Sequence, residues 1–358
     1  MNVILGIIYH SIGGVASGSF YMPFNKVKGW AWESFWIVGG LFSWLIVPPL
    51  AAYFTIPGFA DIIAACSPEI LALTFLMGLF WGVGGLSYGL GVRYLGMSLG
   101  NSVVLGLTAA FGAIVPSLYY SIKPVLGKVS FTDMLASSGG QLVLIGVVVC
   151  LVGIGISGKA GMMKEQQLSK DQQKASVPEF SLAKGLIIAI FSGVLSSFFN
   201  FGIEVGKPMA IEANEAWKAL NPSQGDFLFQ NNVTFVVILW GGLTANFIWT
   251  TILSIKNKSY GDFTNKSTPI FKNIMFSALA GTTWFMQFFF YGMGESKLGN
   301  GASSWILHMS TIILTANLWG IYRKEWTGVT QKTKWTFATG IAVIMLAVVL
   351  VGIGNSIF

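Results

Sequence analysis

Two histidines occur among the 358 residues, His10 in "IYHSIGG" and His308 in "WILHMS". Each sits inside a long apolar run. An unperturbed imidazole titrates near pH 6.5, so it exchanges protons at physiological pH. In its neutral form it donates one hydrogen bond and accepts another. Strongly polar groups are costly at such depth and tend to mark pathways. Asn200 and Gln287 share that setting. Nearby in the pattern, Tyr21, Trp81, Tyr88, Trp284, Tyr291 and Trp305 offer rings that cover C–H faces and N–H or O–H groups that bond hydroxyls. That chemistry suits a sugar. The same rings also serve as packing or as anchors at a membrane surface, and both uses stay open.

The 14 acidic residues avoid the middle of every apolar run; Glu33, Glu204, Glu295 and Glu325 lie near the ends. A proton-coupled process is therefore expected to use His10, His308 or an end carboxylate such as Glu33. Glu33 and Glu325 equally fit ion pairs with Lys26, Lys28, Arg323 or Lys324 at headgroup level. The chain has no P-loop, no HExxH and no Cys/His cluster, and Cys66 and Cys150 form no metal spacing. No metal, no cofactor and no catalytic pair is expected, so the chain does not read as an enzyme.

These groups need elements that hold them in an apolar medium. The chain is 54% hydrophobic and 10% charged, whereas a soluble domain carries about 25% charge. Its mean hydropathy is +0.69. The apolar runs are about 20 residues long, which fits membrane helices and not the strands of about 10 residues of an outer-membrane barrel. The net charge of +7 lies in short loops, where anionic lipid rather than nucleic acid explains it. No Lys or Arg precedes the first run, so that run is expected to be a membrane segment and not a cleaved signal.

The spacing predicts an all-α membrane protein of ten transmembrane helices, at about 3–24, 34–55, 70–90, 98–120, 139–158, 183–204, 229–254, 271–293, 300–321 and 335–357. Sixteen of the 21 Lys and Arg fall in the odd-numbered loops. By the positive-inside rule those loops face the cytoplasm and both termini face outward.

Three pairs of segments repeat. "GLFWGVGGLSYGLGVRYLG" (78–96) matches "GTTWFMQFFFYGMGESKLG" (281–299) at Gly78/Gly281, Trp81/Trp284, Tyr88/Tyr291, Gly91/Gly294, Leu95/Leu298 and Gly96/Gly299. Segments 1 and 6 match at Gly6/Gly185, Gly14/Gly193, Ser17/Ser196 and Phe20/Phe199, and "LVGIG" occurs in both segments 5 and 10. Five helices separate the copies. An odd number turns the second copy upside down, the architecture of many secondary transporters. The expected organisation is a first five-helix repeat over 1–158, a cytoplasmic linker over 159–182 and a second repeat over 183–358. Neither histidine is repeated: His10 corresponds to Ala189, and His308 to Leu105. The shared scaffold needs neither, which favours function for both.

"GIIYHSIGGVASGSFYMPFNKVKGWAWE", "RYLGMSLG", "QFFFYGMG", "WILHMS", "KEW" and "VGIG" closely resemble the bacterial L-rhamnose–proton symporters of the drug/metabolite transporter superfamily, in order along essentially the whole chain. The resemblance implies two inverted five-helix halves in the bacterial cytoplasmic (inner) membrane. It also implies proton-driven uptake of L-rhamnose or a close deoxysugar, with segments 5 and 10 peripheral. The expected partners are L-rhamnose, protons and the lipid bilayer, and the chain is expected to be a monomer or a homodimer through segments 5 and 10. Two departures stand out: Asn25–Lys26 where a basic pair is usual, and acidic residues Glu204, Glu212 and Glu215 where neutral ones are expected. Alternatives are transport of another small metabolite on this scaffold or a membrane sensor that transports nothing.

Overall fold

The computed structural model describes residues 3–124, 130–169, 171–172, 177, 179–223, 227–298 and 301–357. Gly299 of the repeat and the loop lysines Lys128, Lys170 and Lys174 lie outside the described residues. Among the described residues every long element is a helix and none is a strand. The helices are α1 (Val3–Ser19), α2 (Tyr21–Phe24), α3 (Trp32–Gly40), α4 (Val47–Thr55), α5 (Phe59–Ala65), α6 (Pro68–Leu95), α7 (Met97–Ile122), α8 (Phe131–Ala136) and α9 (Ser138–Gln167). They continue as α10 (Leu182–Ser196), α11 (Phe198–Val205), α12 (Lys207–Leu220), α13 (Asn232–Asn257), α14 (Ile270–Leu298), α15 (Gly301–Tyr322) and α16 (Gln331–Ile357).

Seven stretches are long and apolar enough to cross a membrane: 32–55, 68–95, 98–122, 138–167, 182–205, 232–257 and 331–354. The chain is a multi-pass membrane protein. The other three expected segments are also helical, as α1 with α2, α14 and α15. These carry His10, Gln287 and His308.

The structure departs from the expected segments in three places. Segment 2 is not one regular helix, because Leu41–Ile46 winds as a π-helical turn between α3 and α4. Pro48 and Pro49 follow it and carry no N–H, so the carbonyls of Trp44 and Leu45 lack their usual donors four residues on. Segment 6 breaks between Ser196 and Phe198 into α10 and α11. The polar stretch 205–228 is not a plain loop, since α12 buries Met209, Ala210 and Ala213 on one face. Met209 and Ala213 join Ala52, Ile56, Ile62 and Val236 in a single apolar cluster.

Two compact units emerge, Met1–Val83 with Gly202–Gly299 and Gly84–Phe201 with Asn300–Phe358. In the second, α9 and α16 lie close along their glycines. A Cβ on Gly153 would stand 2.9 Å from the Ile344 backbone N, and one on Gly354 would stand 2.7 Å from the Gly139 carbonyl. The small residues of the two "LVGIG" stretches thus serve contact between these helices. Their other sides expose Ile145, Val148, Leu151, Val152, Leu346 and Ile353, as a lipid-facing surface requires.

In the first unit, two glycines bring backbones into contact. Gly78 of α6 meets the Ile238 carbonyl of α13, and Gly281 of α14 meets the Gly39 carbonyl of α3. Any side chain at either glycine would strike that backbone.

Candidate functional site

The first unit contains His10, Tyr21, Glu33, Trp81, Trp284, Gln287 and Tyr291; the second contains Tyr88, Asn200, Trp305 and His308. Each set is described within its own unit.

α1 packs along α14, and His10 is fully buried in that seam. Its ring lies edge-on to Tyr291 with centroids 5.3 Å apart. It also lies against Gly294, where a Cβ would come within 2.5 Å of His10 Nε2. Tyr291 is buried, and one turn further Glu295 accepts a hydrogen bond from Asn231 Nδ2 at 2.8 Å. Gly6 meets Leu298 in the same seam.

The second unit holds a matching helix pair, α10 against the C-terminal part of α6. There Gly185 meets Leu95, as Gly6 meets Leu298. Gly91 meets Ala189 at an ordinary 3.5 Å, in the positions that Gly294 and His10 occupy in the first unit. One seam is therefore apolar at the point where the other buries an imidazole.

Trp81, Trp284 and Tyr21 belong to one aromatic cluster, and it contains residues that sequence reasoning missed. Trp284 lies 4.1 Å from Phe20, 5.7 Å from Trp36, 6.2 Å from Trp44 and 6.5 Å from Trp81 between ring centroids. Tyr21 lies 6.2 Å from Trp36, and its hydroxyl accepts from Trp32 Nε1 at 3.5 Å. Trp36 is fixed by an indole N–H donated to Asn246 Oδ1 at 2.8 Å, while the Asn246 amide donates to the Gly242 carbonyl at 2.8 Å. Trp44 projects from the π-helical turn, and its buried Nε1 has no hydrogen-bond partner among the described residues. Gln287, on the same helix as Trp284, is buried. The visible signals are Trp32 and Trp36 four residues apart, and an asparagine, Asn246, midway along an apolar helix.

Glu33 stands at the start of α3, buried, accepting from Asn257 Nδ2 at 2.9 Å and Ser259 Oγ at 2.7 Å. Next to it Asp262 accepts from Ser34 Oγ and from the Ala31 N–H. These bonds tie the first loop to the chain after α13.

In the second unit Asn200 donates to the Gly112 carbonyl at 3.0 Å, and the Trp305 indole lies against the same glycine. Tyr88 donates its O–H to Asn101 Oδ1. His308 is buried on α15. Glu325, buried, accepts the Ser98 N–H at 3.1 Å and so serves as the cap that α7 lacks from its own Gly96, which holds φ +85°. Lys164 is 2% exposed, with its ammonium 5.2 Å from the Phe180 ring and 5.1 Å from the Trp326 ring and within the field of Glu325.

Comparison with known proteins gives matches along essentially the full length of the chain. The family model described as L-rhamnose-proton symport protein (RhaT) matches residues 1–357. Proteins named L-rhamnose-proton symporter from Yersinia pestis (strain Pestoides F) and Yersinia pseudotuberculosis (serotype O:1b, strain IP 31758) are 37% identical over 357 residues, covering 98% of this chain and 98% of theirs. The full-length family match and this identity show that the chain belongs to the L-rhamnose-proton symport protein family, a family of transporters and not of enzymes.

Proposed function

We propose that this protein imports L-rhamnose together with protons by alternating access. The full-length family match carries this reading. The site chemistry supports it. L-rhamnose has hydroxyls on most carbons and a methyl at C6. Tyr21, Trp81, Trp284 and Tyr291, joined by Trp36 and Trp44, offer faces for the methyl and the C–H groups. Gln287 offers hydrogen bonds in the same unit, and Asn200, Tyr88, Trp305 and His308 offer them within the second unit. His10 is the leading proton-coupling group, ahead of His308 and of Glu33, whose hydrogen bonds tie it to a loop.

The ten-helix, two-repeat arrangement belongs to the same reading, as does membership of the drug/metabolite transporter superfamily. Gly78 meeting Ile238 and Gly281 meeting Gly39 are the contacts that an inverted repeat would generate twice. Repeats over 1–158 and 183–358 joined by a linker at 159–182 follow from it. The charge count places both termini outside, in the bacterial inner membrane; a reporter tag at the N-terminus should then label from the outside. The outer faces of α9 and α16 meet lipid, or a second copy in a homodimer.

The experiment is uptake of labelled L-rhamnose into proteoliposomes under an imposed proton gradient. Accumulation that collapses when the gradient is dissipated is the expected result. Uptake indifferent to the gradient, or absent for rhamnose and present for another metabolite, would overturn the reading.

A further inference from the structure

Glu295 stands one residue beyond the glycine that His10 touches. Tyr291 and Glu295 are four residues apart on α14 and so share a face. Tyr291 carries the His10 ring contact and lies within the electrostatic reach of both Glu295 and Glu204. Glu295 in turn feels Lys207 of α12 and Glu204 of α11, and accepts from Asn231. The matching seam in the second unit keeps the tyrosine, as Tyr88, but has Val92 in place of Glu295 and Ala189 in place of His10. Two ionisable groups thus share Tyr291 as a neighbour, at positions that are apolar in the other copy.

We infer that Glu295 and His10 form one proton-binding pair joined through Tyr291, and that Glu295 takes up the proton that accompanies the sugar. The inference rests on the symport reading above. Asn231 is a neutral donor, so it can bond the carboxylate and still bond the acid once a proton arrives. Glu204 favours the neutral acid and Lys207 favours the carboxylate; such opposed neighbours leave a group able to change charge. The step is simple: the carboxylate gains one proton from water, becomes the uncharged acid, and returns the proton on the other side. His10 reaches Glu295 through Tyr291, whose ring it touches and which lies in the field of the carboxylate. By linkage, proton and sugar must each raise the other's affinity. Sugar affinity therefore falls as pH rises and the pair loses its proton.

Glu295→Gln keeps the shape and cannot take the proton. In proteoliposomes the wild type should show both rhamnose counterflow and gradient-driven accumulation. Glu295→Gln should keep counterflow, lose accumulation and bind L-rhamnose with an affinity that no longer changes between about pH 5 and 8. Infrared difference spectra across the same range should lose one carboxyl C=O band in the variant. Normal accumulation together with an unchanged carboxyl titration in Glu295→Gln would overturn the inference. If Glu295→Gln does not fold, Glu295→Asp takes its place: a displaced pH midpoint of accumulation supports the pair, and an unmoved one defeats it. A wild type that takes up no rhamnose would instead defeat the symport reading, and the infrared titration would still decide whether Glu295 binds a proton.

Discussion

His10 packs against Gly294, at the point where the matching helix pair packs Ala189 against Gly91. The two glycines have the same place in the repeat but different neighbours. A methyl on Gly91 would make ordinary contact at 3.5 Å with Ala189, whereas one on Gly294 would come within 2.5 to 2.8 Å of three His10 ring atoms. The ring must then move, and it is fully buried.

Gly91→Ala is therefore expected to fold and transport nearly as the wild type does. Gly294→Ala should displace His10 and impair proton-driven accumulation more than counterflow. Thermal unfolding and the two transport assays, run on both variants, test the contrast. Equal behaviour of the two would mean that His10 can shift at no cost to coupling.

The tryptophan cluster depends on a single polar joint. Trp36→Phe keeps most of the ring but leaves Asn246 Oδ1 buried without its donor. Such a loss costs about 1–3 kcal/mol. Rhamnose affinity should fall with it, because Trp36 supports Trp284 and Tyr21. Replacing Asn246 with Leu in the Trp36→Phe background removes the orphaned oxygen and should recover part of the stability, though not the affinity. Thermal unfolding and equilibrium binding of labelled rhamnose separate the two effects. A Trp36→Phe variant with unchanged stability would show that the joint does not hold the cluster.

Much of this organisation is legible in the sequence, for stated reasons. Apolar run length locates the helices, because lipid satisfies no backbone groups and each run must close its own hydrogen bonds. His10 stands out because the repeat lacks it, and the structure places it in the seam where its counterpart is Ala189. Other features depend on neighbours distant in sequence. Trp36 and Trp44 look like any interfacial tryptophans until Trp81 and Trp284 are seen around them. The π-helical turn needs Pro48 and Pro49 read for the donors they remove. Glu295 sits near a helix end in the sequence, and only the fold brings His10 against the glycine that precedes it. Lys164 counts as a loop charge in the topology argument, yet it is almost wholly buried.

That buried lysine gives the last prediction. Lys164 lies between the Phe180 and Trp326 rings in the field of Glu325, and the Glu325 carboxylate caps α7 through the Ser98 N–H. Glu325→Gln retains a side-chain oxygen for Ser98 but removes the charge that offsets Lys164. Leaving one buried charge without its partner costs about 3–5 kcal/mol, far more than an exposed pair such as Arg93–Glu179. Lys164→Met with Glu325→Gln removes both charges and keeps a chain of similar length between the two rings. The double variant should recover most of the lost stability. Thermal unfolding in detergent of the two single variants and the double variant, set out as a double-mutant cycle, measures the coupling. An additive cycle, in which the double loses as much as the sum of the singles, would mean that Glu325 acts on α7 alone and that the aromatic rings suffice to hold Lys164.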